Sequence, residues 1–239
     1  MAASEAPGTD PTGSVPTPPS FQAAEVLNRY FAAHQRQQAR LRDTSMDVAI
    51  EASLPRLKKE GSLSASRQVA SSGQITYEDS RSAGDKMVIK EVIARYLSAE
   101  AEASKGLVDV RGNPQSIAIN TENYRFRHKA VLTVDEQRTY IFQVTPRKNR
   151  LGLFKGEVWV DAETGMPVRE SGRLVKNPSV FLSKVDFIHE YEIRDGLAVP
   201  VRAESTIETR LVGRAQLAIR YSNYALPQPA QSGICALGW

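Results

Sequence analysis

One cysteine, Cys235, and three histidines, His34, His128 and His189, are the only thiol and imidazole metal ligands in the 239 residues. A single cysteine excludes an internal disulfide, and histidines so scattered make none of the ligand spacings of a metal site. No apolar run approaches the roughly eighteen residues of a membrane-spanning helix. Charge of one sign is also scarce. There are 31 basic and 27 acidic residues, for a net charge of +4 spread along the chain. The densest basic run is Arg147-Lys148-Asn149-Arg150, with Lys155 close by. It reads as a solvated hairpin tip. A nucleic-acid patch is the weaker alternative, and no nucleic-acid partner is expected. An anionic membrane surface is the other alternative.

What is present is ordinary for a globular protein: 41% hydrophobic and 24% charged residues in a length that holds one sizeable domain or two small ones. Residues 1–20 carry Pro7, Pro11, Pro16, Pro18 and Pro19 among Gly, Ser and Thr. With no apolar face to bury, they read as a disordered or polyproline-like leader. The start, Met1-Ala-Ala-Ser-Glu-Ala-Pro, resembles the mature side of an export cleavage site. The expectation is an exported protein whose signal peptide is absent from this chain; a cytoplasmic protein with a loose start is the alternative. Pro227 and Pro229 mark residues 227–239 as an irregular tail, which leaves 21–226 as one domain.

Within that domain the hydrophobic period separates helix from strand. Val26, Leu27, Tyr30, Phe31, His34 and Leu41 recur at three- and four-residue steps from Phe21, the stripe of an amphipathic helix. Met87, Val88, Val92, Tyr96 and Leu97 do the same in a helical insert at about 86–105. Elsewhere the period is two. Met46, Val48, Ile50 and Ala52 alternate with polar neighbours. So do Tyr124, Phe126, His128, Ala130, Leu132 and Val134; then Tyr140, Phe142 and Val144; then Val185, Phe187, His189, Tyr191 and Ile193; and finally Leu217, Ile219 and Tyr221. Asp195-Gly196 is a strong hairpin signal. About ten strands follow one another up and down, each with one apolar and one charged face. The fold class is mainly β (α+β): a large curved antiparallel sheet, capped by the amphipathic helices, that either closes into a barrel or wraps around the helices as an incomplete barrel with an apolar hollow between.

The stretch Gly156-Glu-Val-Trp-Val-Asp-Ala-Glu-Thr-Gly-Met-Pro-Val-Arg169 is a strand, a turn and a second strand. Its Trp-hydrophobe-Asp step, Thr-Gly turn and Pro-Val-Arg exit, with the amphipathic first helix ending at Thr44-Ser45-Met46 and the closing long strands, resemble the outer-membrane lipoprotein-sorting (LolA-like) family of periplasmic carriers. The similarity runs from about Phe21 to Tyr224. It implies an incomplete barrel whose cavity holds lipoprotein acyl chains or other lipid without chemistry. Membrane-associated donor and acceptor proteins are then the expected partners of a monomer that needs no cofactor. The Pro-rich leader, the helical insert and the tail depart from that pattern. They leave open a protein-binding envelope-stress sensor or structural envelope module of the same fold.

On this reading the candidate cavity wall is Phe126, Leu132, Phe142, Val144, Trp159, Phe187, Tyr191, Leu217 and Ile219. Arg147, Lys148, Arg150 and Lys155 are candidate contacts for a head group or partner. Strand alternation allows Trp159 to face the hollow or the outside. No catalytic residue is expected: Glu157, Asp161 and Glu163 are hairpin carboxylates without a pocket to raise a pKa, and His189 beside Glu190 has no nucleophile.

Overall fold

A computed structural model describes residues 19–108, 114–134, 136–177, 182–210 and 213–225. The leader through residue 18, the tail from residue 226 and Cys235 lie outside the described residues.

Helix α1 (Pro19–Arg40) begins inside the stretch read as leader. Its buried positions are Ala23, Val26, Tyr30, Ala33 and Gln37, spaced three or four apart on one stripe. Strands β1 (Thr44–Leu54), β2 (Lys59–Val69) and β3 (Ile75–Gly84) follow as a meander. Next comes a helical segment of α2 (Lys86–Val88), a π-helical turn (Ile89–Ala94) and α3 (Arg95–Ser104). Asp85 caps its start, its Oδ1 accepting from the N–H groups of Met87 (2.8 Å) and Val88 (3.3 Å). A small ladder joins β4 (Leu107–Val108) and β5 (Pro114–Gln115). The remaining seven strands form a second meander: β6 (Tyr124–Val134), β7 (Gln137–Pro146), β8 (Phe154–Asp161), β9 (Pro167–Leu174), β10 (Leu182–Arg194), β11 (Leu197–Thr209) and β12 (Gly213–Ala225).

The two meanders join because β12 pairs antiparallel with β1, giving one ten-stranded sheet in the order β3-β2-β1-β12-β11-β10-β9-β8-β7-β6. β3 and β6 remain edges, so the barrel stays open. The turn at Asp195-Gly196 links Arg194 to Leu197 with φ of 50° and 68°, the two positive φ values of a tight β-hairpin.

One face of the sheet is concave and apolar, and the helices lie on it. Under α1 the core is Tyr124, Tyr140, Phe142, Val144, Phe154, Val158 and Val160 with Val26 and Tyr30. Under the α2–α3 segment it is Val48, Ile50, Leu54, Leu217 and Ile219 with Val88, Val92 and Ile93. The outer face carries ion pairs such as Arg173–Asp186 at 2.6 Å and Lys184–Asp186 at 3.0 Å; each is partly open to solvent and contributes little to stability.

Two contacts seat α1. Gln37 Nε2 donates to the Ala198 carbonyl (3.0 Å) while the Ala198 N–H donates to Gln37 Oε1 (3.2 Å). A buried side-chain amide thus pairs with β11 as a neighbouring strand would. The β8–β9 hairpin tip supplies the other. Asp161 Oδ1 accepts from the Thr164 N–H (2.8 Å) and hydroxyl (2.7 Å), which holds the turn. Gly165, at φ 71°, lies so close to the Arg29 backbone that a Cβ would come within 2.7 Å of it, and Arg29 Nη1 donates to the Ala162 carbonyl at 2.9 Å.

Strand alternation misplaces part of β6. A register shift between His128 and Ala130 moves the phase by one residue. Phe126 and His128 oppose Val144 and Phe142 on the concave face, but beyond the bulge it is Val131 that opposes Tyr140. Leu132 opposes Thr139 on the outer face and is 41% exposed. The expectation that Leu132 lines the hollow is therefore corrected.

Candidate ligand-binding cavity

Between α1 and α3, over the middle strands, lies a cavity of about 360 Å³. α1 and the residue just past it contribute Gln37 and Leu41; β1 and β2 contribute Thr44, Met46, Arg67 and Val69. Tyr96 and Glu100 come from α3, and His189 and Tyr191 from β10. Ala198, Pro200, Arg202 and Ala203 of β11 and Tyr221 of β12 complete the wall. Larger depressions of about 600 and 650 Å³ lie among outer-strand charges such as Glu51, Glu204, Lys155 and Arg173. They are grooves of open surface. The smaller cavity is the one that both helices and the concave face enclose, and it is the candidate site.

Its wall is not uniformly apolar. Arg67 Nε and Nη2 donate to Glu100 Oε1 at 3.2 and 2.8 Å, and the Tyr77 hydroxyl donates to Glu100 Oε2. The pair is only 13% and 22% exposed. Burial, then the Glu100 charge, pushes the Tyr221 hydroxyl up to about 12. Burial holds His189 below its ordinary range, so its imidazole is neutral at neutral pH. The π-helical turn sets this arrangement. It buries Val92 and Ile93 and then presents Tyr96 and Glu100, one turn apart, to the cavity.

Behind Tyr191 stands Glu170 on β9, on the concave face because it opposes His189 on β10 and Val158 on β8. Burial pushes its carboxyl up to about 7, although the Tyr191 hydroxyl donates to Oε2 at 3.2 Å and pulls the other way. The buried Tyr30 hydroxyl has no hydrogen-bond partner among the described residues, and burial and Glu170 both raise its pKa. A carboxyl with a raised native pKa binds its proton more tightly folded than unfolded. Its penalty is absent below the unfolded value and grows as pH rises from about 4.5 to about 7. Wild-type stability should therefore fall over that window by up to about 3 kcal/mol relative to Glu170→Gln, which keeps an acceptor for Tyr191. Denaturant unfolding of both proteins from pH 4.5 to 8 checks this. Parallel pH profiles would contradict it.

Of the nine wall candidates, Tyr191 lines this cavity. Phe126, Phe142, Val144 and Phe187 pack under α1, with Phe187 edge-on to Phe154 at 4.9 Å. Leu217 and Ile219 pack under the second helical segment. Trp159 faces outward, which corrects its assignment to the wall. Val158 and Val160 take the buried phase, leaving Trp159 opposite Ile141 and Arg169 on the outer face. There the Arg169 guanidinium lies 5.0 Å from its ring and its Nε1 donates to Glu157 Oε2 at 3.2 Å.

The basic tip is also partly committed. Arg147 Nε donates to the Thr121 and Tyr124 carbonyls at 2.8 and 3.2 Å, and Arg150 Nη2 to the Ser116 carbonyl and Asn123 Oδ1 at 3.1 and 2.6 Å. These two arginines fasten the loop before β6, whereas Lys148 and Lys155 are exposed. None of the four lines the cavity.

The residues that sequence reasoning missed are Arg67, Glu100, Tyr221 and Gln37. Arg67 had a signal: Leu63, Ala65, Arg67 and Val69 share one phase of β2, so a charge stands on the apolar side. Gln37 likewise continues the buried stripe of α1 as its one polar member.

An incomplete antiparallel barrel with helices in its hollow and a cavity beneath them defines the class to which this fold belongs. The chain is similar in structure to a LolA superfamily protein from Nitrosomonas europaea (12% identity, 87% of this chain and 94% of that one, TM-score 0.38). It is similar also to a domain from Vibrio parahaemolyticus described as outer-membrane lipoprotein-sorting (10% identity, 89% and 94%, TM-score 0.42). A third likeness is to a DUF1329 family protein from Desulfovibrio piger (16% identity, 86% and 93%, TM-score 0.43). No family model and no curated protein matches the sequence.

Proposed function

We propose that this is a non-enzymatic binding protein of the periplasm that holds an acyl chain of a lipid or lipoprotein between its helices and its sheet. The observation that carries the reading is the cavity between α1 and α3, flanked on either side by an apolar cluster. Its volume is at the small end of the ligand-pocket range of roughly 300–1,000 Å³. One chain segment fits as it stands, and a longer chain enters as a helix shifts off the concave face. Each buried methylene contributes about 0.8 kcal/mol, so a chain is held firmly without chemistry, and release follows from a competing acceptor.

Native mass spectrometry of protein purified without detergent is expected to show adducts of lipid or fatty-acid mass. A fluorescent acyl probe is expected to bind wild type and Trp159→Phe alike, because Trp159 is on the outer face. Ala203→Phe, which fills the cavity, should weaken the probe by about tenfold or more. Absence of both adduct and probe binding would sink the proposal; equal probe binding by Ala203→Phe would place the ligand elsewhere.

A second reading, a protein-binding envelope module, is favoured by one feature. β6 is a free edge, and its end carries Val131, Leu132 and Val134 at 38%, 41% and 65% exposure. A partner strand adding there would be lost on Val134→Lys in a pull-down from envelope extract.

A further inference from the structure

The Arg67–Glu100 pair is odd equipment for a cavity whose task is to bury hydrocarbon, because charges taken out of water cost free energy that an apolar wall would not. Its placement is specific. Arg67 opposes Met46 on the concave face, Glu100 comes down from α3, and both line the cavity with His189, Tyr191 and Tyr221. Arg67 spends Nε and Nη2 on Glu100, and Nη1 has no hydrogen-bond partner among the described residues. Tyr96 and Tyr221 line the same space.

The sum of charge decides what such a wall receives. Glu100 neutralises Arg67 within the pair. His189 is a neutral imidazole with one donor and one acceptor. The one further titratable group behind Tyr191 is the Glu170 carboxyl, which adds negative charge and never positive. Arg202, the other cation of the wall, is 55% exposed and turned to Glu204 on the strand surface. The wall therefore offers hydrogen-bond donors without net positive charge. A carbonyl or hydroxyl is served by such donors, whereas a carboxylate or phosphate meets two carboxyl groups and no uncommitted buried cation.

We propose that the polar wall of the cavity is a head-group site selecting uncharged acyl esters or amides over fatty acids and phosphate-headed lipids, with the Arg67–Glu100 pair as the element that enforces neutrality. This rests on the acyl-binding reading above.

The test is competition against an acyl probe at pH 8, using palmitate, 1-palmitoylglycerol and palmitoyl lysophosphatidic acid below their micellar concentrations. In the wild type the glycerol ester should displace the probe at about tenfold lower concentration than either anion. Glu100→Gln keeps acceptors for Tyr77 and Arg67 but leaves the guanidinium uncompensated. It should bind palmitate at least about tenfold tighter than wild type does, so that the advantage of the ester over palmitate shrinks. Circular dichroism and probe binding by the variant report that it is folded. Equal affinity of the wild type for ester and fatty acid, or no gain of palmitate affinity in Glu100→Gln, overturns this inference while leaving the acyl-binding reading intact. No binding of probe or of any competitor overturns both.

Discussion

Gly156→Ala is expected to cost about 4 kcal/mol or more and to leave little folded protein at 37 °C, an effect from the large end of the range for one methyl group. Gly156 and Gly172 stand directly opposite each other in β8 and β9. A Cβ on Gly156 would fall 1.9 Å from the Ser171 carbonyl oxygen and 2.5 Å from Gly172 Cα. Both are backbone atoms, so no rotamer change relieves the contact; the strands themselves must part. The consequence spreads beyond the pair because β8 and β9 end in the tip on which Arg29 of α1 rests. Far-UV circular dichroism with guanidinium unfolding measures the loss. A midpoint within error of wild type would mean the strands can separate there at no cost. Gly172→Ala, with its Cβ 2.6 Å from the Lys155 carbonyl oxygen, should behave in the same way.

Arg67→Met should destabilise the protein by about 3 kcal/mol, and adding Glu100→Gln should return at least about 1 kcal/mol of that. Removing the guanidinium leaves a carboxylate that is 22% exposed with the Tyr77 hydroxyl as its one remaining donor. Its charge is then uncompensated against the apolar cluster of β1, β2 and α3. Neutralising Glu100 in the same protein removes that charge while keeping an acceptor for Tyr77. The double-mutant cycle is read from urea unfolding of the four proteins at pH 8. Additivity within about 0.5 kcal/mol would show that the two side chains do not act as a pair. Because Arg67 is on β2 and Glu100 on α3, the same cycle reports how far this contact, rather than apolar packing, seats the second helical segment.

Much of the architecture was legible in the period of the sequence. The buried stripe of α1, the insert beginning at Lys86 and the two-residue alternation of the long strands each follow from a face that must avoid water. The turn at Asp195-Gly196 follows from residues that tolerate positive φ. The hairpin at 156–169 owes its shape to two such local rules: an Asp-to-Thr hydrogen-bonded turn, and a glycine where a Cβ would strike a neighbouring strand.

The candidate site was legible only in part, because a cavity is a relation between elements distant in sequence. Alternation alone could not say that a bulge after His128 would turn Leu132 outward, since one extra residue shifts every later side chain to the other face. Nor could it orient Trp159, whose neighbours Val158 and Val160 suit a core equally well. Phe142, Val144, Leu217 and Ile219 lie on the apolar face that alternation defines, yet the helices settle directly on them and use them as core.

By itself the sequence determined a chain of two amphipathic helical segments and about ten alternating strands, one face apolar and one charged, because side-chain period and turn chemistry are local. Only the tertiary structure decided that β12 would return to β1, that β3 and β6 would stay the edges of the sheet, and that α1 and α3 would flank a hollow. Those are long-range pairings, and they alone bring Arg67, Glu100, His189, Tyr191 and Tyr221 around one space. The polar wall, and with it the proposed choice of an uncharged head group, exists in no single segment of the chain.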